Sequence, residues 1–287
     1  EDGDGDGSVD PGETGPRNPD SDSDGLPDGI EDSSLDGVFD EGETDPTNDD
    51  TDGDGILDGL EDHNHDGRVD VGESDPRQVD TDGDGLGDGL EDRDLDGEVD
   101  PGETQAANPD SDGDCILDGD EDTSKDGVYN GGINKELNPN STDTDNDGLA
   151  DASSTGVSGE GPCGPFQPPL SGLYISNPTD PDTDKDGLSD GEEILNEDYE
   201  NLNPKNPDTD GDGVQDGTEL GLTEPGEGTD LAAGNFVPDA DPMSTTNPLD
   251  ADSDNDGLCD GPGNGGGLCA PGEDMNADGR VNTGETD

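Results

Sequence analysis

Apolar residues in this chain occur singly or in pairs among Asp and Gly, and they return at fixed intervals. Ile56, Leu57 and Leu60 share one acidic window. In the window that follows, the eighth position is apolar throughout the set: Val9, Phe39, Val69, Val99, Tyr129 and Val281. One segment reads differently. Over Gly191 to Leu202, the residues Leu195, Tyr199 and Leu202 share a helical face behind an acidic start, which predicts a short helix. Bulkier apolar residues gather in two stretches that lack the acidic pattern. Residues 152–181 carry Phe166, Leu170, Leu173, Tyr174 and Ile175; residues 220–251 carry Leu231, Phe236, Val237 and Met243. Small disulfide-pinned loops or short strands are expected there, or contacts with other chains. No run approaches a membrane span, and no hydrophobic signal segment is present.

The acidic windows are twelve-residue loops of the form Asp-x-Asp-x-Asp-Gly, most of them closed by Glu at position twelve. Leading loops start at Asp20, Asp50, Asp80 and Asp110, and trailing loops at Asp2, Asp32, Asp62, Asp92 and Asp122, both at intervals of 30. Both sets fit the calcium-loop pattern D-x-[DN]-x-[DN]-G-x₅-E. Alternate carboxylates at positions one, three and five can curl around one ion. Gly at six gives the turn, a carbonyl at seven (that of Ile56, for example) is a backbone ligand, and Glu at twelve closes the shell. The residue at nine binds directly or through water.

The expected ligands follow loop by loop. In the regular leading loops they are Asp20, Asp22, Asp24, Asp28 and Glu31; Asp50, Asp52, Asp54, Asp58 and Glu61; Asp80, Asp82, Asp84, Asp88 and Glu91; and Asp110, Asp112, Asp114, Asp118 and Glu121, with Cys115 in place of the turn Gly. Later leading loops add Asp182, Asp184, Asp186, Asp190 and Glu193, and Asp208, Asp210, Asp212, Asp216 and Glu219. In the trailing loops they are Asp2, Asp4, Asp6, Asp10 and Glu13; Asp32, Asp36, Asp40 and Glu43; Asp62, Asn64, Asp66, Asp70 and Glu73; Asp92, Asp94, Asp96, Asp100 and Glu103; and Asp274, Asn276, Asp278, Asn282 and Glu285. Three loops are degraded. The one at Asp122 keeps Asp126 but has Asn130 at nine and Ile133 at twelve. The loops Asp143, Asp145, Asp147, Asp151 and Asp252, Asp254, Asp256, Asp260 end in Ser154 and Gly263. These are expected to be weaker sites or sites completed by another segment.

Composition makes the ions structural. The chain has 83 acidic and 9 basic residues for a formal charge of −74, with 21% hydrophobic and 2% aromatic residues and no Trp. A chain of that kind cannot offset its ordering entropy by burying apolar surface, so the free energy of cation binding has to become folding free energy. About eleven to fourteen Ca²⁺ sites are expected, by the ligand count of such loops. Fourteen divalent ions would bring −74 to −46. Ordinary EF-hand domains are excluded, because no residue separates a leading loop from its trailing loop and the six-residue connectors are rich in Pro.

Four Cys in such a chain read as disulfides. Cys259 and Cys269 flank a Gly-rich stretch, which favours them as one pair and leaves Cys115 and Cys163 as the other, although three pairings are open. His63 and His65 fall at non-ligand positions two and four of a loop. Asn140-Ser141-Thr142 is a glycosylation sequon. Disulfides and weak calcium sites both point outside the cytosol.

The alternating loops and their Asn-Pro-Asp connectors (Asn18-Pro19-Asp20, Asn108-Pro109-Asp110, Asn206-Pro207-Asp208) resemble thrombospondin type 3 repeats, in the form carried by prokaryotic surface proteins. The resemblance covers most of residues 1–151 and parts of 177–219 and 252–287. It implies a chain wrapped around rows of calcium ions with little regular structure, serving as a rigid extracellular linker. This chain departs from the family in closing most loops with Glu rather than Asp and in lacking its regularly placed cysteines.

The expected architecture is therefore mostly irregular: calcium-wrapped tandem loops forming an elongated repeat rod, with few short helices or strands and no conventional hydrophobic core. Its parts are the regular array 1–151, the insert 152–181, two loops and the helix in 182–219, the insert 220–251 and terminal loops in 252–287. Both ends fall mid-pattern, as in a segment of a longer array. No nucleophile–base constellation, phosphate loop or cofactor fingerprint marks an enzyme. Two functions compete: a calcium-rigidified extracellular stalk or fibre segment at the cell surface, and a high-capacity calcium reservoir or mineral-associated acidic protein. Expected partners are calcium ions and either further copies of the chain or other surface proteins, joined through Phe166, Tyr174 and Phe236. No nucleic acid is expected.

Overall fold

The computed structural model describes residues 8, 12–131, 136–152, 176–195, 199 and 202–280. The chain divides into two compact units, Glu1–Ser141 and Thr142–Asp287. Most described residues lie in turns and bends. One-turn helices punctuate them at a fixed place, starting at position nine of the leading loops that begin at Asp20, Asp50, Asp80, Asp110, Asp182 and Asp208. The first unit holds α1 (Asp28–Glu31), α2 (Asp58–Glu61), α3 (Asp88–Glu91) and α4 (Asp118–Glu121); the second holds α5 (Asp190–Ile194) and α6 (Asp216–Glu219).

Local chemistry dictates this form. The first Asp of a leading loop folds the chain by accepting amides ahead of it: Asp50 takes Gly53 at 2.7 Å and Gly55 at 3.1 Å. The residue at position six then lies in the left-handed region, with φ 110° at Gly55. That conformation favours glycine, yet Cys115 adopts it in its own loop with φ 85°. The side chain at position seven turns inward, so Leu26, Ile56 and Leu86 in the first unit and Leu149, Leu188 and Val214 in the second are buried. Each is a lone apolar plug, and carboxylates outnumber them among the buried residues. Among the described residues, the apolar position eight of the trailing loops does not add to these plugs. Phe39, Val69, Val99 and Tyr129 are exposed.

The helix expected over 191–202 is shorter than its apolar spacing suggests. It spans Asp190–Ile194 with a capping box between Ser189 and Glu192, and Leu195 has left the helix with φ −93° and ψ 0°. Its buried face is set by Asp190 and Glu193 rather than by leucines; Leu195 is exposed while Leu202, outside any helix, is fully buried.

The stretch 220–251 packs on its own unit. The Gly226 amide donates to the Gly187 carbonyl at 2.9 Å, and Thr229 Oγ1 donates to Asp182 Oδ2 at 2.6 Å. The Phe236 ring lies so close to Gly187 that a Cβ there would stand 2.5 Å from it. Phe236 is thus part of the cover over the Asp182 loop. The disulfide Cys259–Cys269 is present. It closes a stretch in which β1 (Leu258–Cys259) pairs in parallel with β2 (Ala270–Pro271). Cys115 forms no disulfide among the described residues; its expected partner Cys163 lies outside them, as do Phe166, Leu170, Leu173, Tyr174 and Ile175.

Candidate metal centres

Position two of every leading loop is Ser or Thr, and its role emerges only in three dimensions. The Thr51 amide and Oγ1 donate to the two carboxylate oxygens of Asp58 at 2.7 and 2.5 Å, and the same hydroxyl accepts the Asp45 amide at 2.8 Å. Thr81 clamps Asp88 alike, as Thr183 does Asp190 and Thr209 does Asp216. The position-nine carboxylate is held rigid at the start of its one-turn helix, with lone pairs left over.

Those lone pairs face the previous repeat. Carboxylate oxygens of Asp24, Glu31 and Asp58 lie within 4.8 Å of one another, and so do those of Asp54, Glu61 and Asp88. In each set two carboxylates come from one leading loop and the third from the next. Beside them sit clusters within a single loop: Asp20, Asp22 and Asp24; Asp50, Asp52 and Asp54; Asp80, Asp82 and Asp84. Position five belongs to both kinds. Its own geometry is fixed from both sides, since Asp54 Oδ1 accepts the Ile56 amide at 2.8 Å and Oδ2 accepts the Gly89 amide at 2.8 Å. The acids at positions one, three and five of these loops are therefore brought together, while Asp58 and Asp88 stand in clusters across the repeat boundary that spacing alone did not reveal.

These clusters could hold a cation. Glu193 is fully buried, and neither of its carboxylate oxygens finds a hydrogen-bond donor among the described residues. Burial, with Asp184 and Asp186 close by, pushes its carboxyl up to about 11. Burial raises Glu31, Glu61 and Glu91 to about 9 in the same way, each with acidic neighbours adding to it. Asp52 rises to about 6 and Asp82 to about 7. Buried charges of one sign are stable only when paired or coordinated. Among the described residues the ion pairs use other groups: His63 meets Glu98, Arg77 meets Asp75 and Lys185 meets Asp180. An oxygen-only donor set of this kind suits a hard cation.

Trailing loops are organised differently. Asp62 accepts the Gly67 amide at 2.7 Å, and the closing Glu is drawn into the loop. Glu43 accepts the Ser34 amide at 2.7 Å and the Ser33 hydroxyl at 3.0 Å; Glu103 accepts the amides of Arg93 and Asp100 at 2.9 and 2.8 Å. Asp2, Asp4, Asp6, Asp10, Asn282 and Glu285 lie outside the described residues. His63 and His65 turn to Leu60 and Gly59 carbonyls at 3.1 and 3.0 Å.

The degraded loop at Asp252 is repaired by residues the twelve-residue count misses. In a regular leading loop the amides of positions twelve and thirteen donate to the carbonyls of eight and nine, as Glu61 does to Leu57 at 3.2 Å and Asp62 to Asp58 at 3.0 Å. Here Glu273 donates to Cys259 at 3.0 Å and Asp274 to Asp260 at 2.8 Å. Glu273 thus occupies position twelve, and the residues between are looped out within the Cys259–Cys269 closure. The sequence signal was the Glu-Asp junction, which every regular leading loop shares. No protein-family model, curated protein or solved structure matches this chain.

Proposed function

We propose that this chain is an extracellular calcium-binding repeat protein, a calcium-rigidified segment of a stalk or fibre at the cell surface. One observation carries the reading: Asp54 and Glu61 of one repeat share a cluster with Asp88 of the next. A cation held there sets the spacing of successive repeats as well as the shape of one loop. A reservoir needs only charge density, whereas this arrangement spends buried carboxylates on joining repeats. Calcium is favoured over magnesium because the clusters are all-carboxylate and can supply more ligands than an octahedral ion with retained water uses. Individual affinities are expected at about 10⁻⁴–10⁻³ M, the range of extracellular modules. The resemblance to thrombospondin type 3 repeats points the same way, and further copies or other surface proteins are the partners that fit such a segment.

Small-angle scattering of the full chain with calcium and after chelation tests this. The expected result is an extended, stiff particle with calcium and an expanded flexible chain without it. Dimensions unchanged by chelation would contradict the reading and favour the reservoir.

A further inference from the structure

The trailing loop starting at Asp122 has Ile133 where its siblings have Glu. Counting backward from the next leading loop restores the missing acid. Six residues separate Glu43 from Asp50, Glu73 from Asp80 and Glu103 from Asp110. Six residues likewise separate Glu136 from Asp143, so this loop is three residues longer and the register resumes at Glu136.

The described residues on either side agree with that register. In the regular trailing loops the closing carboxylate accepts from the residue at position nine: Glu43 from the Asp40 amide at 3.3 Å, Glu73 from Asp70 at 2.9 Å, Glu103 from Asp100 at 2.8 Å. Glu136 Oε2 likewise accepts from position nine, through the side-chain amide of Asn130 at 3.2 Å. The residue after it is buried, Leu137 standing where Thr44 and Thr104 are buried in their repeats. Its amide donates to the Glu121 carbonyl at 3.3 Å.

Glu136 is fully buried, and its Oε1 has no hydrogen-bond partner among the described residues. A buried carboxylate oxygen without a donor is costly unless a positive charge meets it. Asn130 at position nine supplies an amide instead of a carboxylate, so the loop has lost one acid and kept the closing one in a displaced place.

We propose that Glu136 closes a cation site in the loop starting at Asp122, with Asp122 and Asp126 as its other acids. The site takes a hard divalent ion, and on the calcium reading above that ion is Ca²⁺. It makes the loop a working site and carries the regular array through to the end of the first unit.

Bound ions are counted by native mass spectrometry and calorimetric titration on the full chain with Ca²⁺. The variants are Glu136→Gln, Asp126→Asn, the two combined, and Glu41→Gln as an exposed control that removes the same charge. Glu136→Gln and Asp126→Asn are each expected to bind one ion fewer than wild type, and the double variant also one fewer, since both act on one site. Glu41→Gln should keep the wild-type number. A Glu136→Gln chain that matches Glu41→Gln overturns the proposal, as does a double variant that loses two ions. Should Glu136→Gln prevent folding, Glu136→Asp keeps the charge and is expected to weaken one site alone; an unaltered titration would overturn the assignment. A wild-type chain that binds no calcium would instead defeat the functional reading on which the site rests.

Discussion

The amide of Gly89 donates to Asp54 Oδ2 at 2.8 Å across 35 residues of chain. The two backbones approach so closely there that a Cβ on Gly89 would collide with the Asp54 carbonyl oxygen. The relationship recurs: Gly59 donates to Asp24 at 2.9 Å and Gly217 to Asp186 at 3.0 Å. One-turn helices therefore begin against the turn of the previous loop, and the glycines at position ten, Gly59, Gly89 and Gly217, allow that close approach.

This contact makes a paired prediction. Gly89→Ala should destabilise the calcium-loaded chain by about 1–3 kcal/mol, the usual cost of overpacking. Gly29 holds the same position in α1, but among the described residues a Cβ there meets only Leu35, at 4.0 Å. Gly29→Ala should be stabilising by about 0.5–1 kcal/mol, through the lower entropy of the unfolded chain. Thermal melts of both variants at one calcium concentration check the contrast, and equal effects would mean that the close approach carries no cost.

Cys115 invites the opposite change. It holds a left-handed turn with φ 85° that Gly55 and Gly85 fill elsewhere. Such backbone strain costs about 1–3 kcal/mol at a non-glycine residue. Cys115→Gly, measured under reducing conditions so that no thiol pairing intervenes, should raise the melting temperature and the calcium affinity of its loop.

Thr51 tests the clamp. Its hydroxyl accepts the Asp45 amide and donates to Asp58, which sits in the cluster shared with the preceding repeat. Thr51→Val leaves both partners unsatisfied and should cost about 1–3 kcal/mol, with a matching loss of calcium affinity. Thr51→Ser should be close to neutral, because Ser21 makes the same two bonds to Asp28.

Acidity should act on the cation-free chain in a direction opposite to the loaded one. Burial raises Glu31, Glu61 and Glu91 from 4.5 to about 9 in the folded arrangement. Between those values the folded form holds more protons than the unfolded chain, so stability is fully present below 4.5 and is lost as pH rises through about 9. Metal-stripped protein should be compact near pH 4 and expanded near pH 9 by circular dichroism and scattering. With calcium present, protons compete for the same carboxylates, and affinity should fall as pH is lowered. A stripped chain equally compact at both pH values would refute the burial of these acids.

The sequence made the acidic clusters legible because alternate Asp residues around a turn Gly read out one loop at a time. It hid whatever depends on two loops at once. Nothing in the spacing of Asp50 to Glu61 says that Asp88 completes their cluster, since that requires the fold-back of the next repeat. The Ser or Thr at position two was visible in all eight leading loops, Ser21 to Ser253, yet its use as a clamp follows only once Asp58 is seen beside Asp24 and Glu31 of the previous loop. Glu136 and Glu273 escaped a fixed twelve-residue count because insertions displace them, although the connector length and the Glu-Asp junction marked both. Leucine spacing suggests a helix reaching residue 202, whereas α5 ends at Ile194 and buries Asp190 and Glu193, which that spacing does not mark.

Anomalous diffraction from crystals of the calcium-loaded chain tests the central claim most directly. The account requires an ion enclosed by Asp54 and Glu61 together with Asp88 of the following repeat, and another enclosed by Asp24, Glu31 and Asp58. Anomalous peaks only within single loops, each ligated by one repeat alone, would contradict it.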